Sequence, residues 1–182
     1  MWIALLQHYG VPTRLLDFST SPYISLYFAL EYFEKDQVED MALYCIDYRS
    51  LLKESIQYIK SKDRSFTLDY LDVITQQDEI FTSIISRFSY DILWITEPKI
   101  MNTRIERQAG TFLVSGNNSL EIEALLNDKM YVNIDCQKLI ISKKLAPSIF
   151  FLLQKVNINS KTIYGDLSGL GRSIRMNLIA YS

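Results

Sequence analysis

Apolar residues repeat at helical spacing near the start of the chain. One such face is formed by Trp2, Leu5, Leu6 and Tyr9. Their spacing predicts a helix over residues 2–9. Ser21 and Pro22 then predict the start of a second helix, because serine caps a first turn and proline fits the position after it. This second helix is apolar on nearly all sides, which predicts that it is buried.

The rest of the chain alternates short apolar runs with capped helical segments. Thr13–Phe18 is predicted to be a strand or an extended loop. Strands are predicted at Met41–Ile46 (as an inner strand), Asp91–Thr96, Thr111–Ser115, Met130–Asp135 and Lys138–Ser142. Helices are predicted at 49–60 after Asp47, at 101–109 before Gly110, from Pro147 to 156, and along Leu167, Leu170, Ile174 and Leu178. Residues 61–90 are polar and predicted to be partly helical. Segregated helices and short strands predict an α+β fold, with a small mixed or antiparallel sheet flanked by helices.

The domain organisation follows from what separates these elements. No repeat, low-complexity tract or linker rich in proline and glycine interrupts them, so we expect one domain over residues 1–182. The first predicted helix begins at the first residue without a cap, which leads us to expect a domain truncated at its N-terminal side. A missing strand would leave apolar surface uncovered there. We therefore expect self-association through this side, or a partner segment that covers it.

Composition narrows the class of protein. The 182 residues are 48% hydrophobic and 22% charged, a globular composition. The net charge of −2 argues against a broad nucleic-acid-binding face, and no apolar run approaches the roughly 18 residues of a membrane span. Cys45 and Cys136 lie far apart and form no C-x-x-C motif, which favours free thiols and a cytoplasmic location. One histidine and two distant cysteines predict no metal site.

The densest polar cluster within apolar surroundings runs from Gln7 to Ser21. His8 is the only histidine, and its ordinary pKa near neutrality suits proton transfer or ligand binding as well as a structural hydrogen bond. Arg14 and Asp17 flank two leucines. The favoured interpretation is that each is paired, with the other or with backbone groups, because a charge in apolar surroundings needs a partner.

Two further groups of polar residues are candidates for binding an anion. Ser19, Thr20 and Ser21 mainly begin a helix, but their hydroxyls and free N–H groups would also suit an anionic ligand. Further along, Arg104 and Gln108 share a helical face, and Arg107 is one position off it. One interpretation is that these arginines bind phosphate or carboxylate. The alternative is that they lie on a solvent-exposed helix and take part in an intrahelical ion pair. The G-x-G-x-x-G, P-loop and G-x-S-x-G signatures are all missing.

These residues carry a resemblance to a known family. The string LQHYGVPTRLLDFSTSPYISLYFA (residues 5–29 contain it) resembles the hallmark stretch of the FRG domain family. Asn102, Arg104, Gln108, Gly110 and Phe112 resemble its later N-x-R…Q-x-G-x-F block, and residues 164–170 its C-terminal F-P-D-L-D-G-L block. The three blocks span nearly the whole chain, without the (F/Y)-R-G motif that lies upstream in the family. The resemblance implies a bacterial or phage protein of a mostly uncharacterised family.

The order of motifs also resembles that of arginine-type ADP-ribosyltransferases. There an arginine on a first strand is followed by an S-T-S segment and a late Q/E-x-E, although here Gly110 stands where the catalytic glutamate would be. This resemblance implies an NAD-binding enzyme with catalytic His8, Arg14, Asp17 and Gln108, and with Ser19, Thr20, Ser21 and Arg107 at the nucleotide. The alternative is a non-catalytic binding or interaction module in which this region is a rigid structural corner.

Overall fold

A computed structural model describes residues 6–7, 11–33, 39–87, 89–97, 103–117, 119–167 and 169–174. Its strands are β1 (Leu15–Ser19), β2 (Met41–Ile46), β3 (Leu93–Thr96), β4 (Gly110–Ser115) and β5 (Cys136–Ile141). Its helices are α1 (Pro22–Leu30), α2 (Tyr48–Lys62), α3 (Tyr70–Thr75), α4 (Gln77–Ser83), α5 (Thr103–Arg107), α6 (Ile122–Leu126), α7 (Ala146–Lys155) and α8 (Ser160–Tyr164). Residues 169–174 are also helical. The predicted α+β class, with small sheets flanked by helices, is confirmed.

The chain divides into two compact units. The first comprises Met1–Phe18, Ile46–Ile100 and Thr111–Cys136, and the second comprises Ser19–Cys45, Met101–Gly110 and Gln137–Ser182. In the described part of the chain, no helix has the length and apolar character needed to cross a membrane. The same part of the chain contains no group of three or more His, Cys, Asp or Glu side chains placed to hold a metal ion.

The first unit is built around a three-stranded sheet in the order β1-β4-β3. Strands β3 and β4 are antiparallel, with Leu93 opposite Ser115. The core against this sheet is apolar, and its buried members are Leu51, Leu93, Leu113, Leu125, Tyr131 and Ile134. Two hydroxyls inside this core are hydrogen-bonded to Leu93. Ser55 Oγ donates to the Leu93 carbonyl at 2.6 Å, and the Tyr131 hydroxyl accepts from the Leu93 N–H at 2.7 Å. Buried polar groups are tolerated when they are bonded in this way.

The second unit packs helices around its own core beside the two-stranded β2-β5 sheet. Its buried members are Ile24, Tyr27, Leu30, Phe33, Met41, Ala146, Phe150, Leu153, Ile163 and Tyr164. Helix α1 begins as predicted, with Ser21 as its N-cap and Pro22 at its first position. Only part of this helix is buried, because Tyr23 is 59% exposed. The prediction of a helix buried on nearly all sides was therefore wrong.

Two strand predictions need correction. Met130–Asp135 is not a strand: a 3₁₀ turn spans Lys129–Tyr131, and the core contacts of this segment come from Tyr131 and Ile134. Their spacing of three residues is that of a helical turn rather than the alternation of a strand. Strand β2 exists at the predicted residues but is not an inner strand, because either strand of a two-stranded sheet is an edge, and Tyr44 is 46% exposed.

Two predictions about helices were also wrong, one about a helix end and one about an apolar helix face. After α5 the left-handed position is taken by Ala109, at φ 44°, while Gly110 already begins β4. The predicted C-terminal face does not contribute to the core, because Leu167, Leu170 and Ile174 are exposed. The remaining member of that face, at position 178, and the N-terminal positions 2, 5 and 9 lie outside the described residues.

Candidate functional site

Arg14 precedes β1 and lies within the first unit, where it contacts three separate segments. Its Nη1 donates to the carbonyl of Ser115 at 3.1 Å and to that of Ile85 at 3.5 Å, and its Nη2 donates to Ser86 Oγ at 3.4 Å. The guanidinium also lies over the ring of Phe81, 5.5 Å from its centroid. Burial lowers the pKa of Arg14. The prediction that Arg14 bonds to backbone groups is confirmed.

Asp17 lies on β1 in a different environment from the one that was predicted. It is exposed, and so is Leu16, whereas Leu15 is buried. The apolar surroundings predicted for Asp17 were therefore wrong. Its Oδ1 accepts a hydrogen bond of 2.9 Å from Gln7 Nε2. Gln7 in turn accepts a hydrogen bond from the hydroxyl of Thr13.

Several residues of the sequence motifs lie outside the part of the chain that the structure describes. His8, the candidate for proton transfer, lies outside the described residues, and so does Asn102 of the later block. The proposed roles of these two side chains remain predictions.

The Ser19–Ser21 segment lies in the second unit, where it meets the residues after α5. Ser19 Oγ donates to the Gln108 carbonyl at 2.7 Å, and the Thr20 N–H donates to the Ala109 carbonyl at 2.9 Å. Ser19 Oγ also accepts from the Ser21 N–H at 3.1 Å, and Ser21 Oγ accepts from the Ile24 N–H at 3.5 Å. The second unit therefore brings the predicted Ser19, Thr20 and Gln108 together, through backbone contacts.

Gln108 has one further property of interest. Its Nε2 is a buried donor, and no described residue accepts a hydrogen bond from it. A buried amide donor without an acceptor carries a desolvation penalty of about 1–3 kcal/mol, so such a group needs an explanation.

In the described part of the second unit, three arginines lie around Tyr164 and Gly165, at the end of α8. The guanidinium carbon of Arg104 lies 4.6 Å from the centre of the Tyr164 ring, and that of Arg172 lies 4.7 Å from it. Arg107 is on the same helix as Arg104, and its Nη1 lies where a Cβ at Gly165 would be. Gly165 has φ +71°, a conformation that side chains other than Asn rarely adopt. We call Arg104, Arg107, Arg172, Tyr164 and Gly165 the arginine cluster.

A buried carboxylate anchors one side of this cluster. Glu31 Oε1 accepts hydrogen bonds of 2.6 Å from both the Tyr164 hydroxyl and Arg172 Nη1. The Glu31 side chain is only 5% exposed, against 39% for Arg172. Burial, followed by the hydrogen bond to Glu31, raises the pKa of Tyr164 well above its ordinary value. Burial lowers the pKa of Arg172, but its hydrogen bonds to Glu31 and Tyr32 and the nearby negative charge of Glu31 together outweigh that effect, so its pKa lies above its ordinary value.

Sequence reasoning identified only part of this cluster. It singled out Arg104, Arg107 and the segment after Tyr164, but it missed Glu31 and Arg172. Glu31 follows the last turn of α1, and Arg172 is 141 residues further along the chain. No local spacing connects positions so far apart. The one local signal was the resemblance of residues 164–170, which begin with Tyr164 and Gly165, to a family block.

Comparison with known proteins supports a similarity over one segment. A family model described as the FRG domain matches residues 1–38. This segment contains Arg14, Asp17 and the Ser19–Ser21 segment, but not Arg107 or Gln108. The predicted resemblance over nearly the whole chain is thus supported only at its beginning. No curated protein and no solved structure matches this chain. Over its first 38 residues, the chain is similar to an FRG domain.

Proposed function

We propose that this protein is a non-catalytic binding module in which the segment from Thr13 to Ser21 is a structural corner. The observation that carries the proposal is the bonding of Arg14. Its Nη1 donates to the carbonyls of Ser115 and Ile85, so this end of the guanidinium is bonded to the fold. Buried carbonyls need such donors, and an arginine can serve several of them at once.

The hydroxyls of the next segment support the same proposal. Ser19 donates to a backbone carbonyl, and Ser21 caps α1. Both hydroxyls therefore do what these residue types usually do at helix starts. Asp17 is exposed, and its carboxylate accepts a hydrogen bond from Gln7 within the same segment of the chain.

The test is whether the full chain consumes NAD. We expect no release of nicotinamide above the buffer blank when millimolar NAD is incubated with the protein and analysed by chromatography. Nicotinamide release that is retained in Arg64→Ala, which changes an exposed arginine, but lost in Arg14→Ala or Gln108→Ala would contradict the proposal. Circular dichroism would establish that each variant is folded.

The second candidate is a nucleotide-binding enzyme that uses NAD and resembles an ADP-ribosyltransferase. The observation that favours it is the buried Gln108 Nε2, for which the described residues provide no acceptor. A ligand oxygen would satisfy this donor if the Ser19–Gln108 contact opened on binding. In this candidate NAD raises the melting temperature, by the equivalent of about 2.7 kcal/mol at one hundred times its dissociation constant. Gln108→Ala would abolish this rise and Gln137→Ala, at an exposed position, would not.

A further inference from the structure

In the described part of the second unit, the arginine cluster places two guanidinium groups, those of Arg104 and Arg172, over one aromatic ring. We propose that Arg104, Arg107 and Arg172 bind the phosphate group of a small molecule, a phosphate monoester or a diphosphate. The inference rests on the proposed function as a binding module and names the class of ligand that it takes.

Arg104 is held by a cation–π contact rather than by a counter-ion. Its guanidinium carbon is 4.6 Å from the centre of the Tyr164 ring. A ring face accepts the charge of a guanidinium without using up its five N–H donors, so donors stay available for a ligand. In the described part of the chain, no carboxylate forms an ion pair with Arg104. Its charge is therefore not neutralised by these neighbours.

Arg107 extends the cluster along the same helix face. It follows Arg104 by three residues, a spacing that places side chains next to each other on a helix. Its guanidinium occupies the space that a side chain at Gly165 would fill, with Nη1 at the position expected for the Cβ. Arg107 is exposed, and among the described residues it too has no carboxylate in ion-pair contact.

Arg172 completes the group, and its position is fixed by the buried Glu31. Its Nη1 donates to Glu31 at 2.6 Å and to the Tyr164 hydroxyl at 3.2 Å. The Glu31 and Arg172 charges offset each other, so the cluster keeps the two positive charges of Arg104 and Arg107. Two guanidinium groups match the charge of a phosphate dianion and can donate to its oxygens in pairs.

The acidic residues near the arginine cluster weaken its affinity for phosphate, but they do not remove its preference for anions. Asp166 follows Gly165, and its carboxylate accepts from the Gly169 N–H at 2.8 Å. Glu106 lies between the two arginines of α5 and is exposed. We therefore expect binding that weakens with added salt, as solvent-exposed charges are screened. The cluster has only three arginines, and the whole chain has a net charge of −2. A binding site of this size and charge suits a small molecule rather than a nucleic acid.

The experiment is calorimetric titration of the full chain with inorganic pyrophosphate, ADP and adenosine at low salt. We expect pyrophosphate and ADP to bind, and adenosine to bind at least tenfold more weakly. Arg104→Gln and Arg107→Gln should each weaken pyrophosphate binding about tenfold or more. Arg64→Gln, which removes an equal charge at an exposed position, should leave it within about twofold. ADP binding tighter than pyrophosphate would add recognition of the nucleoside, whereas equal binding would assign recognition to the phosphates alone.

A second variant tests the geometry without removing any arginine. Gly165→Asn keeps a residue type that tolerates positive φ, but its side chain must displace the Arg107 guanidinium. We expect it to weaken pyrophosphate binding as much as Arg107→Gln does. No binding of pyrophosphate at millimolar concentration, or equal losses in Arg64→Gln and Arg104→Gln, would overturn the phosphate site. Neither result bears on NAD turnover, so the binding-module proposal is judged separately.

Discussion

At the scale of single residues, Arg14 shows how a charged side chain can serve the fold. Its guanidinium contacts the carbonyls of Ser115 and Ile85 and the hydroxyl of Ser86, which belong to two different parts of the first unit. The guanidinium is half-buried, and burial lowers the pKa of Arg14. Such a residue is typical of a conformational anchor, because it satisfies several backbone acceptors that water cannot reach easily.

Replacing Arg14 should destabilise the protein. Arg14→Ala removes the donors of the Ser115 and Ile85 carbonyls, and leaving buried acceptors unsatisfied costs about 1–3 kcal/mol. The melting temperature should fall by about 2–4 °C for each kcal/mol in a chain of this size. Thermal unfolding followed by circular dichroism measures this. The exposed Arg64→Ala is the control, and equal melting temperatures for the two variants would contradict the anchor role.

At the scale of elements, helix ends are defined by side chains that the local sequence supplies. Asp47 caps α2 by accepting from the backbone N–H groups of Arg49 and Ser50. The hydrogen bond from the Ser50 hydroxyl is the main cause that lowers the pKa of Asp47, and the two backbone hydrogen bonds lower it further. Asn159 and Thr162 form a reciprocal capping box at the start of α8. Each cap satisfies backbone donors that have no partner within the helix, so each defines where its helix begins.

The N-cap of α1 gives a direct test of this principle. Ser21→Ala removes the acceptor of the Ile24 N–H, and a lost serine cap costs about 1 kcal/mol. Ser21→Asn retains a capping oxygen and should stay within a few tenths of a kcal/mol of the unaltered protein. Urea unfolding of both variants measures the difference. If the alanine and asparagine variants had the same free energy of unfolding, the cap would not contribute to stability.

At the scale of the whole molecule, each of the two units has its own core and its own buried tyrosine. Tyr131 belongs to the first unit, with its hydroxyl bonded to Ser55 and to the Leu93 N–H. Tyr27 belongs to the second unit, with its hydroxyl 2.5 Å from Ser160 Oγ. Burial is the main cause that raises the pKa of both tyrosines from 10.0 to about 12.

These two tyrosines predict a loss of stability in alkali. Because their pKa is higher in the folded state, the neutral form is favoured there. Their contribution is complete below pH 10 and is lost as the pH rises from 10 to about 12. A tenfold difference in acidity between the folded and unfolded states corresponds to about 1.4 kcal/mol of stability. Urea unfolding between pH 9 and 12 should show a smaller pH-dependent loss in Tyr131→Phe than in the unaltered protein. Parallel curves would contradict the prediction.

Self-association is the other property of the whole molecule that follows from the sequence pattern. The apolar face of residues 2–9 includes Leu6, which is 47% exposed, while its three other members lie outside the described residues. Exposed apolar surface favours association because contact removes it from water. Sedimentation velocity over a hundredfold range of concentration should show a dimer or larger species at the high end. A monomer throughout that range would contradict this prediction.

Local sequence determined much of the secondary structure of this protein. Ser21 and Pro22 predicted the start of α1, Asp47 predicted α2, and β1, β3 and β4 lie close to their predicted positions. These features depend on residues within about four positions of each other, through caps, helical periodicity and short apolar runs. The segment 130–135 was the exception, because its apolar residues at a spacing of three resemble a strand in composition and a turn in geometry.

The tertiary structure decided which polar residues serve the fold and which gather into a candidate site. Local sequence indicated that Arg14 needed a partner, but its acceptors Ile85 and Ser115 are 71 and 101 residues away. Likewise, Arg104 and Arg107 became a cluster only through Tyr164, Gly165 and Arg172, and Glu31 joined from the end of α1. Contacts between distant segments depend on how the elements pack. Spacing along the chain carries information only about neighbours on one element.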